Sequence, residues 1–188
     1  MLQYTDQTSL LSSLATVDEV LDCHASELGH DLTAYRNHVY RVVNLSVAMA
    51  GDGYIEVEKI AIAAVFHDRG IWTNHMFDYI APSAALAREY LAAEGMADWT
   101  PEIEAMIVDH HKVTATRPGL HGQSLVESFR RADWIDVTCG LRKFGLPRPF
   151  IAAVRAAWPD AGFHRRLVQL TIDQFWKHPL NPLPMVKW

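Results

Sequence analysis

The sequence predicts an all-α protein folded as a single domain: a helical bundle with a short extended arm at its C-terminal end. Three observations carry this. Apolar residues recur with a helical period nearly throughout. No run alternates with period two between Asn-Gly or Asp-Gly turns, the pattern that hairpins need. The 188 residues, 49% hydrophobic and 21% charged, suffice for one core, and no linker is long enough to divide the chain.

The period places helices over 8–23, 31–50, 56–69, 82–95, 101–111, 122–139, 148–158 and 163–177. The first rests on period alone, as do the last two. The third contains the longest apolar block, Ile60-Ala61-Ile62-Ala63-Ala64-Val65-Phe66, which suits a buried helix. The fourth opens with Ser83 after Pro82. The fifth opens with Thr100-Pro101-Glu102-Ile103-Glu104, which reads as a threonine N-cap, proline at the first helical position and acids in the first turn. Gly51, Gly70, Gly95 and Gly140 read as stops. Residues 70–81 and 112–121 read as irregular, the latter around the turn signal Arg117-Pro118-Gly119. The stretch His178-Pro179-Leu180-Asn181-Pro182-Leu183-Pro184 carries too much proline for a helix and forms the expected arm.

Composition narrows the classes. A formal net charge of -5 argues against broad nucleic-acid binding, which needs a basic face, but leaves room for a small anionic substrate at a bound cation. Cys23 and Cys139 are far apart and give neither a disulfide framework nor a thiolate metal site. The Met1 end lacks the charged and apolar pattern of a secretory signal, and no apolar run approaches the ~18 residues that span a bilayer, so a cytoplasmic protein without membrane contact is expected. Ten histidines are the one excess, and histidine is the commonest metal ligand.

Where the histidines fall matters more than their number. Ile60, Ala64, His67 and Asp68 share one stripe of their helix, so an imidazole and a carboxylate point toward the core, which is costly unless they are paired or bind a metal. Read alone, His67-Asp68 is more simply an ordinary helix C-terminus, with the histidine on carbonyls and the aspartate solvated. Three further helices repeat the pattern. His38 lines up with Val42, Leu45 and Met49; His110 and His111 extend the Ile103–Ile107 stripe; Asp133 and Asp136 extend the stripe of Leu125, Phe129 and Ala132. Imidazoles and carboxylates converging from four helices predict a divalent site suited to Mn, Fe, Ni, Co or Zn.

The ordered segments Asn37-His38-Val39-Tyr40-Arg41-Val42, Ala63-Ala64-Val65-Phe66-His67-Asp68, Ile107-Val108-Asp109-His110-His111 and Ala132-Asp133-Trp134-Ile135-Asp136 resemble the HD-domain superfamily of metal-dependent phosphohydrolases, over about residues 31–140. The resemblance implies an HD-type helical fold with a metal held by His38, His67, Asp68 and Asp133. It also implies hydrolysis of a phosphoester or phosphoanhydride, a nucleotide among the candidates, by attack of metal-bound water. His110 and His111 match a position that completes a second metal site in some members and contacts substrate in others. Arg69-Gly70-Ile71-Trp72 stands where several nucleotidase members carry an acid, and there is no GYP signature.

Roles follow for individual side chains. Asp68 is expected to orient or deprotonate the attacking water, and Arg41 and Lys112 to offset transition-state charge. His75, Asp78 and Tyr79, after the HD pair, are expected at the pocket mouth, with His75, Tyr79, His110 and His111 as substrate contacts. Asp136 reads as a group behind the ligands or a helix cap. Trp72, Phe77, Tyr79 and Trp134 read as core or as an apolar wall. The expected partner is a small phosphorylated substrate, and Trp176 and Trp188 leave room for a homo-oligomer. Two alternatives remain open: an HD enzyme of other chemistry (cyanamide-hydratase-like hydration or a di-iron oxygenase), and a non-catalytic metabolite-binding module.

Overall fold

The computed structural model describes residues 10–50, 57–73, 78–115, 125–180 and 185–186. Among them are α1 (Ala15–Cys23), α2 (Ala25–Leu28), α3 (Leu32–Ala50), α4 (Val57–Phe66), α5 (Gly70–Thr73), α6 (Ile80–Ala93), α7 (Thr100–Asp109), α8 (Leu125–Val137), α9 (Arg148–Ala157) and α10 (Phe163–Lys177). Short 3-10 turns precede α3 and α7, and no strand occurs among the described residues. The all-α expectation holds. No helix among these residues is long and apolar enough to cross a membrane.

The bundle is organised around α3 and α4. Ile60 through Phe66 are all buried, so α4 is apolar on every side and takes α1, α3, α6 and α7 around it. Each fully buried isoleucine or valine there stabilises by roughly 1.5–3 kcal/mol. The small residues Ala61, Ala63 and Ala64 let the neighbouring helices approach closely. The long α3 packs chiefly against α8 and α4, bringing the stripes that carry His38, His67 and Asp133 face to face.

Several boundaries differ from the sequence reading, each for a local reason. Residues 10–14 are not helical. Leu11 N donates to Asn44 Oδ1 (2.8 Å), Asn44 Nδ2 donates back to Leu11 O (3.1 Å), and Leu14 N donates to Tyr40 Oη (2.9 Å), so side chains of α3 satisfy this backbone in place of a helical ladder. Ser83 is no cap: α6 starts at Ile80, and the Ser83 hydroxyl accepts from Gly70 N (2.9 Å). Thr100 is the first residue of α7 rather than its cap, with Pro101 in the first turn as expected. Gly70 does not end a helix but begins α5. A Cβ at that position would lie 2.5 Å from the Tyr79 carbonyl oxygen, so glycine is what lets α5 touch the start of α6. Gly51, Arg117-Pro118-Gly119 and most of the proline-rich arm lie outside the described residues; His178 to Leu180 are non-helical. Of α10, which runs over the expected 163–177, only Phe163 is buried, while Val168, Ile172, Phe175 and Trp176 are exposed.

Candidate metal centre

The last turn of α4 tightens as it ends. His67 N still reaches Ala63 O (2.9 Å), but Arg69 N turns to Phe66 O (3.1 Å) and Ile71 N to Asp68 O (3.0 Å). This compact turn keeps both His67 and Asp68 buried, pointing toward α3 and α8. His38, Asp133 and His110 are buried against them from α3, α8 and the end of α7, and His111 is half-buried.

The imidazoles are oriented from behind. His38 Nδ1 lies 2.7 Å from Asp136 Oδ2, His67 Nδ1 2.7 Å from Ala64 O, and His110 Nδ1 2.6 Å from Ile107 O. A carbonyl or ionised carboxylate can only accept, so each Nδ1 carries its proton, and in the neutral ring Nε2 presents a lone pair to the interior. His38 Nε2 and His67 Nε2 face each other at 3.0 Å. Two lone pairs at that distance repel unless a proton or a cation lies between them. Burial, the largest influence on His67, pushes its pKa down to about 3, so the ring is neutral at physiological pH.

The carboxylates complete the set. Asp68 Oδ2 lies 3.4 Å from His67 Nε2 and 3.6 Å from His38 Nε2, and its Oδ1 lies 3.5 Å from His110 Nε2. Asp133 Oδ1 lies 3.7 Å from His38 Nε2 and 3.8 Å from His67 Nε2, and its Oδ2 lies 3.6 Å from His111 Nδ1. Burial tends to raise Asp68, but His67, His110 and His38 around it win and hold it well below the usual carboxylate range. Burial raises Asp133, and its neighbouring imidazoles do not fully offset that.

A cation fits these residues. Asp68 Oδ1, both oxygens of Asp133 and His110 Nε2 are buried without a hydrogen-bond partner. Such orphans are rare in folded proteins, and each costs about 1–3 kcal/mol. Their concentration at one point, facing the inward lone pairs of His38 and His67, is what a divalent ion would satisfy. His38, His67 and Asp68 offer ligand atoms that all lie within 4.8 Å of one another, as do Asp68, His110 and His111, so Asp68 belongs to both groups. Asp133 stands beside them at the distances above. The cluster could hold a metal ion.

Two residues have places that differ from the sequence reading. Arg41 does not face the cluster as a transition-state cation. Its Nε and Nη2 bind Asp136 (2.6 and 2.8 Å) and its Nη1 reaches the carbonyls of Trp158 and Pro159 (3.0 and 3.2 Å), so it fixes Asp136 behind His38. Lys112 Nζ pairs with Asp109 (3.4 Å), and its carbonyl accepts from Trp134 Nε1 (3.0 Å) and Arg130 Nη1 (2.9 Å). Asp160 lies outside every motif, yet it accepts a hydrogen bond from the His164 ring, whose Nε2 reaches the Asp136 carbonyl (2.9 Å). Asp136 stands behind His38 rather than capping its helix.

Tyr79 is brought to the cluster: its hydroxyl shares a 2.7 Å hydrogen bond with His111 Nε2. Burial, then the charges of Asp68 and Asp133, raise its pKa well above the ordinary value and keep the phenol neutral. Asp78 is exposed, and His75 and Phe77 lie outside the described residues. Trp72 is core: it packs on Tyr35 (ring centroids 4.7 Å apart) and donates Nε1 to Asp31 (3.0 Å). Sequence reasoning missed Phe163, whose ring stacks on His38 at 4.0 Å and 15°. Only its place at the start of a helix marked it, and that names no partner. No protein-family model matches the chain, and no curated protein or solved structure matches it either.

Proposed function

We propose that the chain is a metal-dependent phosphohydrolase that cleaves a phosphoester or phosphoanhydride, with nucleotides the first substrates to test. The supporting observation is the set of buried imidazoles whose Nδ1 atoms are fixed from behind, facing carboxylate oxygens without partners. Beside it stands the ordered resemblance of the four segments to HD phosphohydrolases. His38, His67, Asp68 and Asp133 would hold the ion, with Mn, Fe, Ni, Co and Zn all compatible with this mixed nitrogen and oxygen set. When bound, a divalent ion there supplies Lewis acidity, lowering the pKa of a coordinated water and neutralising charge on a phosphoryl oxygen.

The chain's own residues supply orientation and proton transfer. Asp136 and Arg41 hold His38 in one tautomer and one direction. Asp68 Oδ1, unpartnered and ionised, accepts a hydrogen bond from water on its side of the cluster and orients it. His110 is the proton donor to the leaving oxygen. Burial lowers its pKa, but Asp68 and Asp133 outweigh burial and raise it, which favours the protonated ring. Tyr79 and His111 form a hydrogen-bonded pair that contacts substrate.

The test is phosphate release from a panel of nucleotides and simple phosphoesters with Mn²⁺, Ni²⁺ or Co²⁺ added. Turnover that disappears in Asp68→Ala supports the proposal. Turnover of a nitrile or iron-dependent oxygen uptake, without phosphate release, would replace it with another chemistry.

A further inference from the structure

Away from the cluster, a groove of about 570 Å³ runs between the end of α8 and the length of α9. Its wall combines Leu141, Ile151 and Ala152 with the guanidinium groups of Arg148 and Arg155, and Cys139 lies at its edge. The volume is within the range of small-molecule sites, as is the mixture of apolar wall and a few charged groups. From residue 137 to 159 the chain carries Arg142, Lys143, Arg148 and Arg155 and not one acid, although the whole protein has a net charge of -5. The groove is therefore a locally cationic surface on an acidic molecule.

Arg155 is incompletely used. Its Nη1 is buried and makes no hydrogen bond. The Asp136 carboxylate is 3.6 Å away, but Asp136 Oδ1 is already taken by Arg41 Nε at 2.6 Å. A guanidinium presents five donors in a planar fork suited to tetrahedral oxyanions, and the Arg155 side chain, 30% exposed, lines the groove while its Nη1 faces Asp136. Arg148, seven residues earlier and so on the same side of α9, is exposed and offers a second fork.

We propose that this groove binds a small phosphorylated molecule, its phosphoryl group between Arg148 and Arg155 and its apolar body against Leu141, Ile151 and Ala152. The site is separate from the candidate metal centre but touches it from behind, since Arg155 borders Asp136 and Asp136 holds His38. An anion that draws Arg155 toward the groove changes the field at Asp136, and by linkage any effect of the ligand on the cluster is matched by an effect of the cluster on the ligand. This inference does not depend on the phosphohydrolase reading.

The experiment is a titration of the ¹⁵N-labelled full chain with phenylphosphonate, which no phosphatase activity can consume, followed by amide chemical shifts. Saturable shifts at Gly140, Leu141 and Ala152 are expected. Arg148→Gln, a change at an exposed position, should weaken binding about tenfold or more, as loss of a charge-assisted hydrogen bond does. Methylphosphonate, without the ring, should bind more weakly, and Arg88→Gln, on α6, should change nothing. Absence of saturable shifts in the groove, shifts confined to the His67 region, or equal affinity in Arg148→Gln would overturn the site. The ¹⁵N resonances of the His38 ring report the link: movement on saturation supports it, and groove binding that leaves them fixed removes the link while the site stands.

Discussion

Nδ1 of His38 lies 2.7 Å from Oδ2 of Asp136, and the same carboxylate is clamped by Arg41 through two further hydrogen bonds. A buried acid thus orients the His38 imidazole while a buried arginine orients the acid. Replacing Asp136 by Asn keeps the shape but removes the charge. Metal affinity should fall about 10–100-fold, the usual consequence of losing a group that orients a ligand histidine. Chelator competition measures this; unchanged affinity would mean that Asp136 has only a structural role.

The same substitution has a pH signature. Burial raises the Asp136 pKa, but the hydrogen bonds from His38 and Arg41 prevail and hold it well below the usual carboxylate range. A depressed folded-state pKa contributes stability that is present above the unfolded value of about 4 and lost as the pH falls toward the folded one. Asp136→Asn should therefore lower stability at neutral pH, by about 3 kcal/mol if Arg41 is left unpaired, and flatten the acid limb of the stability profile. Urea unfolding at several pH values checks both.

Gly70→Ala should be disproportionately damaging for the addition of one methyl group. The new Cβ would meet the Tyr79 carbonyl oxygen at 2.5 Å and the Ser83 hydroxyl at 3.0 Å. Neither belongs to a long flexible side chain, so α5 and α6 must separate. A loss of about 1–3 kcal/mol is expected, with displacement of Tyr79 from His111. Thermal unfolding measures the first, and the imidazole resonances of His111 the second.

Metal binding should weaken on acidification. The raised His110 pKa favours a proton on Nε2, 3.5 Å from Asp68 Oδ1, and that positive charge opposes a cation held by Asp68. Affinity should rise between about pH 5.5 and 8, across the range where histidine titrates, with proton release on binding. Calorimetry in buffers of different ionisation enthalpy detects those protons. Affinity that is flat with pH would exclude the competition.

Phe163→Leu should weaken both packing and metal binding. The ring stacks face to face on His38, so a branched aliphatic chain fills much of the volume but not the plane. Stability should fall by about 1–2 kcal/mol, and metal affinity should fall with it as His38 gains rotational freedom. Phe175→Leu, on the exposed part of α10, should leave both unchanged.

Much of this arrangement was legible in the sequence because it is periodic. The stripes that carry His38, His67-Asp68, His110 and Asp133 are helical repeats with polar residues where apolar ones belong, and all those polar residues are buried. Asp136 was legible as a partner for the same reason. Arg41 was misread because spacing shows that it lies near the face of His38, not that Asp136 and two carbonyls nearly a hundred residues or more downstream claim its donors. Residues 10–14 were misread because the Asn44 and Tyr40 side chains that hold them leave no periodic trace. Phe163 and Arg155 meet His38 and Asp136 through tertiary contacts alone, and no local pattern announces such contacts.

The most direct measurement is elemental analysis of the purified full-length chain beside its Asp68→Ala variant, after reconstitution with Mn²⁺, Co²⁺ or Zn²⁺ and removal of loosely bound ions. A stoichiometric divalent ion in the parent protein, lost in the folded variant, is the predicted result. Protein that retains no ion under any of these conditions, or a variant that retains as much as the parent, would contradict a metal centre built on His38, His67, Asp68 and Asp133.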